Sequence, residues 1–112
     1  MCGFVTVSSN NPNHRFTIGD LRSMQSKISH RGPDDSGLIF IDENQKINDA
    51  QYFEDQKTVR IGLAFHRLSI MDISMDGHQP MISNCARYVI VFNGEIRKSF
   101  LDKNPETITE FI

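Results

Sequence analysis

The chain has 112 residues, a length that fits one domain at most. Hydrophobic residues make up 38% and charged residues 23%, and the net charge is −2, with lysine and arginine scattered along the sequence. This pattern is ordinary for a globular protein and argues against a surface for nucleic acid or anionic lipid. No apolar run reaches the roughly 18 residues of a membrane span, and the start does not resemble a signal peptide, so we expect a cytoplasmic protein.

The first third of the chain predicts one strand and one helix. Apolar and β-branched residues predict a strand over residues 2–7, which runs into a loop of turn-forming residues. Thr17 and Asp20 have the spacing of a helix cap. Apolar residues follow at helical intervals, at Ile18, Leu21, Met24 and Ile28. We therefore expect an amphipathic helix that ends near His30, because a glycine–proline pair follows and disfavours its continuation.

Further strands are predicted in the rest of the chain, over residues 37–41, 58–66 and 88–92. The last of these has the strongest strand pattern and ends at an Asn-Gly dipeptide, which commonly forms a turn. Residues 42–57 are polar and unpatterned, which predicts a loop or a hairpin excursion, and residues 71–83 predict a loop. These elements together indicate an α+β fold, in which a sheet-rich layer packs beneath one helix.

Cys2 places a thiol at the second position of the chain. Removal of Met1 would put this thiol and a free α-amine on one residue, and an N-terminal amine can act as the base for such a nucleophile. Because α-amines titrate at roughly 7.7–8.0, a useful fraction is unprotonated near neutral pH. The alternative is a small residue without a chemical role. A redox role shared with Cys85 has no Cys-x-x-Cys spacing to support it, and we expect Cys85 to be an ordinary, half-buried thiol.

Two arginine-containing segments are candidates for a binding site. Residues 31–34, Arg-Gly-Pro-Asp, place a guanidinium and a carboxylate around a rigid turn, although such a segment is equally typical of a structural corner. Residues 66–70, His-Arg-Leu-Ser-Ile, follow a strand with a buried pattern. The planar guanidinium of Arg67 suits a carboxylate ligand, against the alternative of a solvated side chain. The loop at residues 77–81, Gly-His-Gln-Pro-Met, is expected to shape a pocket wall without reacting.

Asn93 and Gly94 form the most specific candidate segment. The side-chain amide of the first and the backbone N–H of the second can point at one oxygen, as required for the oxyanion of an acyl-transfer intermediate. Loss of one such donor typically slows a reaction on the order of 100- to 1,000-fold. The alternative is a simple turn that ends the strand. The histidines and cysteines have no spacing typical of a zinc site, so no metal is expected.

Taken in chain order, these segments resemble the glutaminase domain of the class II glutamine amidotransferases, and most of all the glutamine-hydrolysing asparagine synthetases. The matching segments are residues 1–3, 31–34, 66–70, 77–81 and 92–96. The resemblance implies the N-terminal part of an αββα sandwich of the N-terminal-nucleophile hydrolases, with mostly antiparallel sheet and one amphipathic helix. Residues 1–96 would form a partial glutaminase domain and residues 97–112 a divergent tail, with no synthetase domain in the chain.

The resemblance also implies a role for each matching residue. Cys2 would attack the side-chain amide of glutamine, its α-amine would move the proton, and Asn93 and Gly94 would hold the oxyanion. Arg67 would bind the α-carboxylate of glutamine, and Glu95 would help to bind its α-amino end. The complete glutamine-binding set would be Arg67, Leu68, Ser69, Ile70, Met71, Asn93, Gly94 and Glu95. The loop beside the nucleophile would be supported by Arg31, Gly32, Pro33 and Asp34.

The chain departs from the family pattern after Ile96. Relatives carry a later Ser-Asp-Thr-Glu segment whose aspartate binds the glutamine amine, and here Ile108 stands in its place. We therefore expect one of two functions. The chain is either a glutaminase that supplies ammonia to an acceptor such as aspartate on a synthetase domain or chain, or an inactive remnant or fragment that needs a partner chain. It would hold no cofactor, because ATP and Mg²⁺ would belong to the synthetase domain.

Overall fold

The computed structural model describes residues 2–68 and 77–94. Within this part the chain forms one helix, α1, and eight strands, β1 to β8. In chain order they are β1 Gly3–Ser8, β2 Phe16–Thr17, α1 Ile18–Lys27, β3 Asp35–Ile41, β4 Ile47–Asp49, β5 Thr58–Val59, β6 Ile61–Arg67, β7 Met81–Ile82 and β8 Val89–Ile90. Short 3₁₀ turns lie at Ser29–Arg31 and Ala50–Tyr52. The predicted α+β fold with one helix and mostly antiparallel sheet is confirmed.

The largest sheet has four antiparallel strands in the order β1–β6–β3–β4. Gly3 of β1 pairs with His66 of β6, and on the other side of β6 Arg67 pairs with Asp35 of β3. Residues directly opposite each other on neighbouring strands point to the same face of a sheet, so Arg67 and Asp35 share one face. Gly62 of β6 faces α1. The strands β2 with β5 and β7 with β8 form two small antiparallel pairs.

The helix begins where its sequence predicts. The hydroxyl oxygen of Thr17 accepts a hydrogen bond from the Asp20 N–H at 3.1 Å, and the Asp20 carboxylate accepts one from the Thr17 N–H at 2.9 Å. This is a complete capping box, which satisfies two donors at the helix start. The helix ends at Lys27, earlier than the predicted His30, because Ile28 leaves the helical conformation and the chain continues as a 3₁₀ turn.

The hydrophobic core lies between α1 and one face of the main sheet. Its main cluster of fully buried side chains comes from the helix, β3, a 3₁₀ turn and β5, and consists of Ile18, Leu21, Phe40, Ala50 and Val59. Leu21 packs directly on Gly62, where a methyl group would collide with its side chain. The rings of Phe40 and Phe53 meet edge to face, with centroids 5.0 Å apart and planes at 85°.

The structure corrects the predictions for the second half of the chain. The strand predicted over residues 88–92 is limited to Val89–Ile90, because its strand partner β7 is only two residues long. Its flanking aromatic residues are exposed, Tyr88 by 54% and Phe92 by 37%. The polar segment 42–57 contains β4 and the 3₁₀ turn at Ala50–Tyr52, and β4 forms a hairpin with β3, which confirms the second of the two predictions for this segment. The single strand predicted over residues 58–66 is divided at Arg60 into β5 and β6.

The second cysteine also differs from its prediction. Cys85 is exposed, not half-buried, because it lies in the turn between β7 and β8. Cys2 and Cys85 do not form a disulfide. In the part of the chain that the structure describes, no helix is long and apolar enough to cross a membrane.

Candidate active site

Cys2 lies immediately before β1 and next to the end of β6. Its Sγ accepts a hydrogen bond from the backbone N–H of Leu68 at 3.3 Å, and the thiol can donate to the Leu68 carbonyl oxygen at 3.8 Å. The two residues are 66 positions apart in the sequence. They meet because β1 and β6 pair antiparallel, with Gly3 opposite His66. The sulfur is half-buried and is held at a defined position by the backbone of Leu68.

Asn93 approaches Cys2 from a third segment of the chain. Its side-chain amide donates to the backbone carbonyl oxygen of Cys2 at 2.9 Å, across 91 sequence positions. An amide NH₂ has two N–H donors, so one remains for an oxygen atom of a ligand. Gly94 follows directly, and both residues are exposed to solvent. The Asn93 side chain thus contacts the backbone of Cys2, and Gly94 is the next residue in the chain.

Residues 31–34 pack over the ends of β1 and β6. Gly32 is buried against Arg67, and a methyl group on it would lie 2.7 Å from both the nitrogen and the oxygen of the Arg67 backbone. The N–H of Asp34 donates to the Arg67 carbonyl oxygen at 3.0 Å, and Pro33 forms an isolated bridge with Arg67. The Arg31 side chain covers Gly3. This segment therefore contacts the strand ends that carry Cys2 and Leu68.

Arg67 is buried, with 6% of its surface exposed. Its guanidinium packs against the backbone of Gly77, where a side chain would collide with it. The residue opposite it on β3 is Asp35, whose carboxylate lies 2.6 Å from Nδ1 of His78. Sequence reasoning missed this contact. The only signals for it were a second aspartate after Asp34 and a histidine in the loop 77–81, and nothing in the sequence indicated that the two side chains meet.

Four of the predicted glutamine-binding residues lie outside the described residues, namely Ser69, Ile70, Met71 and Glu95. The tail at residues 97–112 lies outside them as well. The predicted site residues within the described ranges are therefore Cys2, Arg67, Leu68, Asn93 and Gly94, and residues 31–34 contact Gly3 and Arg67. Within residues 2–68 and 77–94, the His, Cys, Asp and Glu side chains form no group of three that could hold a metal ion.

Residues 1–99 match the family described as the glutamine amidotransferase domain. The chain belongs to this family. This match covers the three segments that meet at Cys2, and it confirms the resemblance inferred from the sequence.

The chain is also similar in sequence to individual proteins. The chain is 36% identical over 98 residues to asparagine synthetase (glutamine-hydrolyzing) 1 of Bacillus subtilis strain 168, which covers 86% of this chain and 13% of that protein. It is 34% identical over 91 residues to a putative asparagine synthetase (glutamine-hydrolyzing) 2 of Methanocaldococcus jannaschii, covering 69% of the chain and 15% of that protein. The amidase chyE of Penicillium rubens is 31% identical over 99 residues, 86% of the chain and 12% of that protein.

The chain thus spans only 12–15% of the length of these relatives. No solved structure matches it.

Proposed function

We propose that this chain carries the glutamine-hydrolysing part of an asparagine-synthetase-like amidotransferase, with Cys2 as its nucleophile. The observation that carries the proposal is the meeting of three distant segments at one cysteine residue. Leu68 contacts the sulfur of Cys2, and Asn93 contacts its carbonyl oxygen, across 66 and 91 positions. Membership of the amidotransferase family, and relatives named for glutamine hydrolysis, support this assignment.

The proposed reaction starts after removal of Met1. The α-amine of Cys2 takes the thiol proton, and the sulfur attacks the side-chain amide carbon of glutamine. The C–N bond of the tetrahedral intermediate breaks, and the ammonium of Cys2 returns the proton to the departing ammonia. Water then hydrolyses the thioester and releases glutamate with a free Cys2 thiol. The balance is glutamine plus water to glutamate plus ammonia.

The remaining residues would bind the substrate and its transition state. The free N–H of the Asn93 amide and the backbone N–H of Gly94 would stabilise the oxyanion, which is the charge that develops during attack. Arg67 would bind the α-carboxylate, because a guanidinium fits a carboxylate with two parallel hydrogen bonds. Ser69, Ile70, Met71 and Glu95 are assigned to the glutamine pocket on the resemblance alone.

The acceptor of the ammonia is proposed to lie on a synthetase domain or chain. The relatives named asparagine synthetase are much longer than this chain, which covers 13% of the first. ATP and Mg²⁺ would act there, with aspartate as the acceptor. An inactive fragment that needs a partner chain is the alternative, and the hydrolysis assay below separates the two functions.

The test is glutamate release from glutamine by the purified chain. Cys2→Ala should reduce the rate to the uncatalysed background, because it removes the nucleophile. Cys85→Ala is the matched control, since it removes the exposed second thiol in the β7–β8 turn, and it should leave the rate unchanged. Intact-mass analysis should show that Met1 is absent from the active chain.

Two results would overturn the proposal. One is a wild-type rate equal to that of Cys2→Ala. The other is full activity in a chain that retains Met1, because the α-amine of Cys2 would then be part of a peptide bond. A labelling experiment gives an independent readout: a γ-diazoketone analogue of glutamine should modify Cys2 and leave Cys85 unmodified.

A further inference from the structure

The segment that begins at Gly77 is held against two strands of the main sheet. Gly77 packs on the guanidinium of Arg67. His78 binds Asp35 through Nδ1 at 2.6 Å. The carbonyl oxygen of Gln79 occupies the space that a side chain would take at Gly37. Three consecutive residues therefore contact β3 and the end of β6, the two strands that carry Asp35 and Arg67.

Asp35 and Arg67 are direct neighbours across β3 and β6. Side chains at such positions share a face, with Cβ atoms about 4.5–5.5 Å apart. The carboxylate of Asp35 thus lies near the base of the Arg67 side chain, and it also binds the residue that follows Gly77. Asp35 and His78 are mostly buried, with 19% and 35% of their side chains exposed. The contact between the two side chains is thus partly shielded from solvent.

We propose that Asp35 and His78 form a clip that positions Arg67 for the α-carboxylate of glutamine. The clip holds the backbone of Gly77 against the guanidinium of Arg67. This contact limits the directions in which the guanidinium N–H groups can point. Neither clip residue needs to touch the substrate. This inference rests on the role proposed above for Arg67. It explains why the two side chains meet across 43 sequence positions beside this arginine.

The test measures how strongly the chain prefers a ligand with the α-carboxylate. Binding is followed by NMR titration in a Cys2→Ala chain, which does not consume the ligand. The ligands are glutamine and 4-aminobutanamide, which is glutamine without its α-carboxylate. We expect the Cys2→Ala chain to bind glutamine about tenfold or more tightly than 4-aminobutanamide, the size of a charge-assisted hydrogen bond.

Two substitutions disturb the clip by different means. Asp35→Ala removes the partner of His78, and Gly77→Ala places a methyl group against the guanidinium. Each should reduce the preference to within about twofold, because a misdirected guanidinium loses its paired hydrogen bonds. Asp35→Asn should retain part of the preference, since its amide oxygen still accepts a hydrogen bond from His78. Amide chemical-shift dispersion shows whether each variant remains folded.

The control is Glu43→Gln, which removes a carboxylate paired with Arg15 shortly after β3. It should leave the preference unchanged. The inference is overturned if Asp35→Ala weakens both ligands equally, or if Gly77→Ala in a folded chain keeps the full preference. A Cys2→Ala chain without any preference overturns the role of Arg67 together with the clip. The function of Cys2 is judged separately, by glutamate release.

Discussion

Two glycines determine how closely the chain approaches Arg67. Gly32 contacts its backbone and Gly77 contacts its guanidinium, and at both positions a side chain would collide. Neither glycine has a positive φ, so space, and not backbone conformation, excludes other residues here. Glycine is suited to such close contacts because it has no Cβ.

Gly32→Ala should therefore destabilise the fold and impair the site. Its methyl group would force residues 31–34 away from β6, and overpacking of this kind typically costs about 1–3 kcal/mol. Glutamate release should fall further than the folded fraction, because the displaced segment also contacts the strand ends beside Cys2. Urea denaturation measures the free energy of unfolding, from which the folded fraction follows, and the hydrolysis assay measures the rate of glutamate release.

The matched control is Gly19→Ala in the first turn of α1. Its Cβ would lie 3.3 Å from Asp55, at the limit of a normal contact, and alanine favours a helix by about 1 kcal/mol over glycine. We expect a smaller change in stability and unchanged hydrolysis per folded molecule. A Gly32→Ala chain with the stability and activity of the wild type would mean that the segment does not need its contact with β6.

Among the elements, the β3–β4 hairpin depends on one carboxylate. Asp42 accepts hydrogen bonds from the N–H groups of Asn44 and Lys46 at 2.9 and 3.0 Å, and from the Asn48 side chain at 3.1 Å. These bonds close a turn in which Gln45 adopts a positive φ of 62°. The hydrogen bond from the Lys46 N–H is the largest of the effects that lower the pKa of Asp42 below its ordinary value of 3.8.

This lowered pKa makes the stability of the hairpin depend on pH. The folded state holds the proton of Asp42 less tightly than the unfolded chain does, so the stabilisation is present above pH 3.8 and is lost as pH falls through the lower folded value. Asp42→Asn should reduce the free energy of unfolding at pH 7, and the difference from wild type should shrink below pH 3.8. Denaturation at several pH values, followed by circular dichroism, measures this difference.

Asn44→Ala serves as the control for the hairpin. It keeps the backbone N–H that donates a hydrogen bond to Asp42, and it changes no titratable group. Its stability should run parallel to that of the wild type across the pH range. If the deficit of Asp42→Asn stays constant from pH 7 to pH 3, the carboxylate does not stabilise the folded hairpin.

The elements also show which features could be predicted from sequence. The start of α1 was predictable because both members of its capping box, Thr17 and Asp20, are three residues apart. The extent of β8 was not, because it depends on pairing with a two-residue strand that has no pattern of its own. The contact between Asp35 and His78 could not be predicted either, because it joins residues 43 positions apart in the sequence. The candidate nucleophile and oxyanion donors were recognised because each belongs to a short contiguous motif.

At the scale of the whole molecule, the site and the core depend on the same sheet. Cys2 and Leu68 meet only because β1 and β6 pair, and β6 is held between β1 and β3. The core packs on the helix-facing side of these strands, where Phe40 is fully buried. Arg67 and Asp35 lie on the other face of the sheet. The core therefore supports the site by holding the strands in place, and the core side chains need not contact the site residues.

Phe40→Ala should test this dependence. Truncation of a fully buried phenylalanine typically costs about 3–5 kcal/mol, a large part of the roughly 5–15 kcal/mol that stabilises a domain. We expect a lower denaturation midpoint, and loss of glutamate release in proportion to the unfolded fraction. Tyr52→Ala removes an aromatic ring that is 79% exposed, and it should change stability by no more than about 0.5 kcal/mol. If the two substitutions cost the same, Phe40 does not anchor the core, and the strands beside Cys2 must be held together by other contacts.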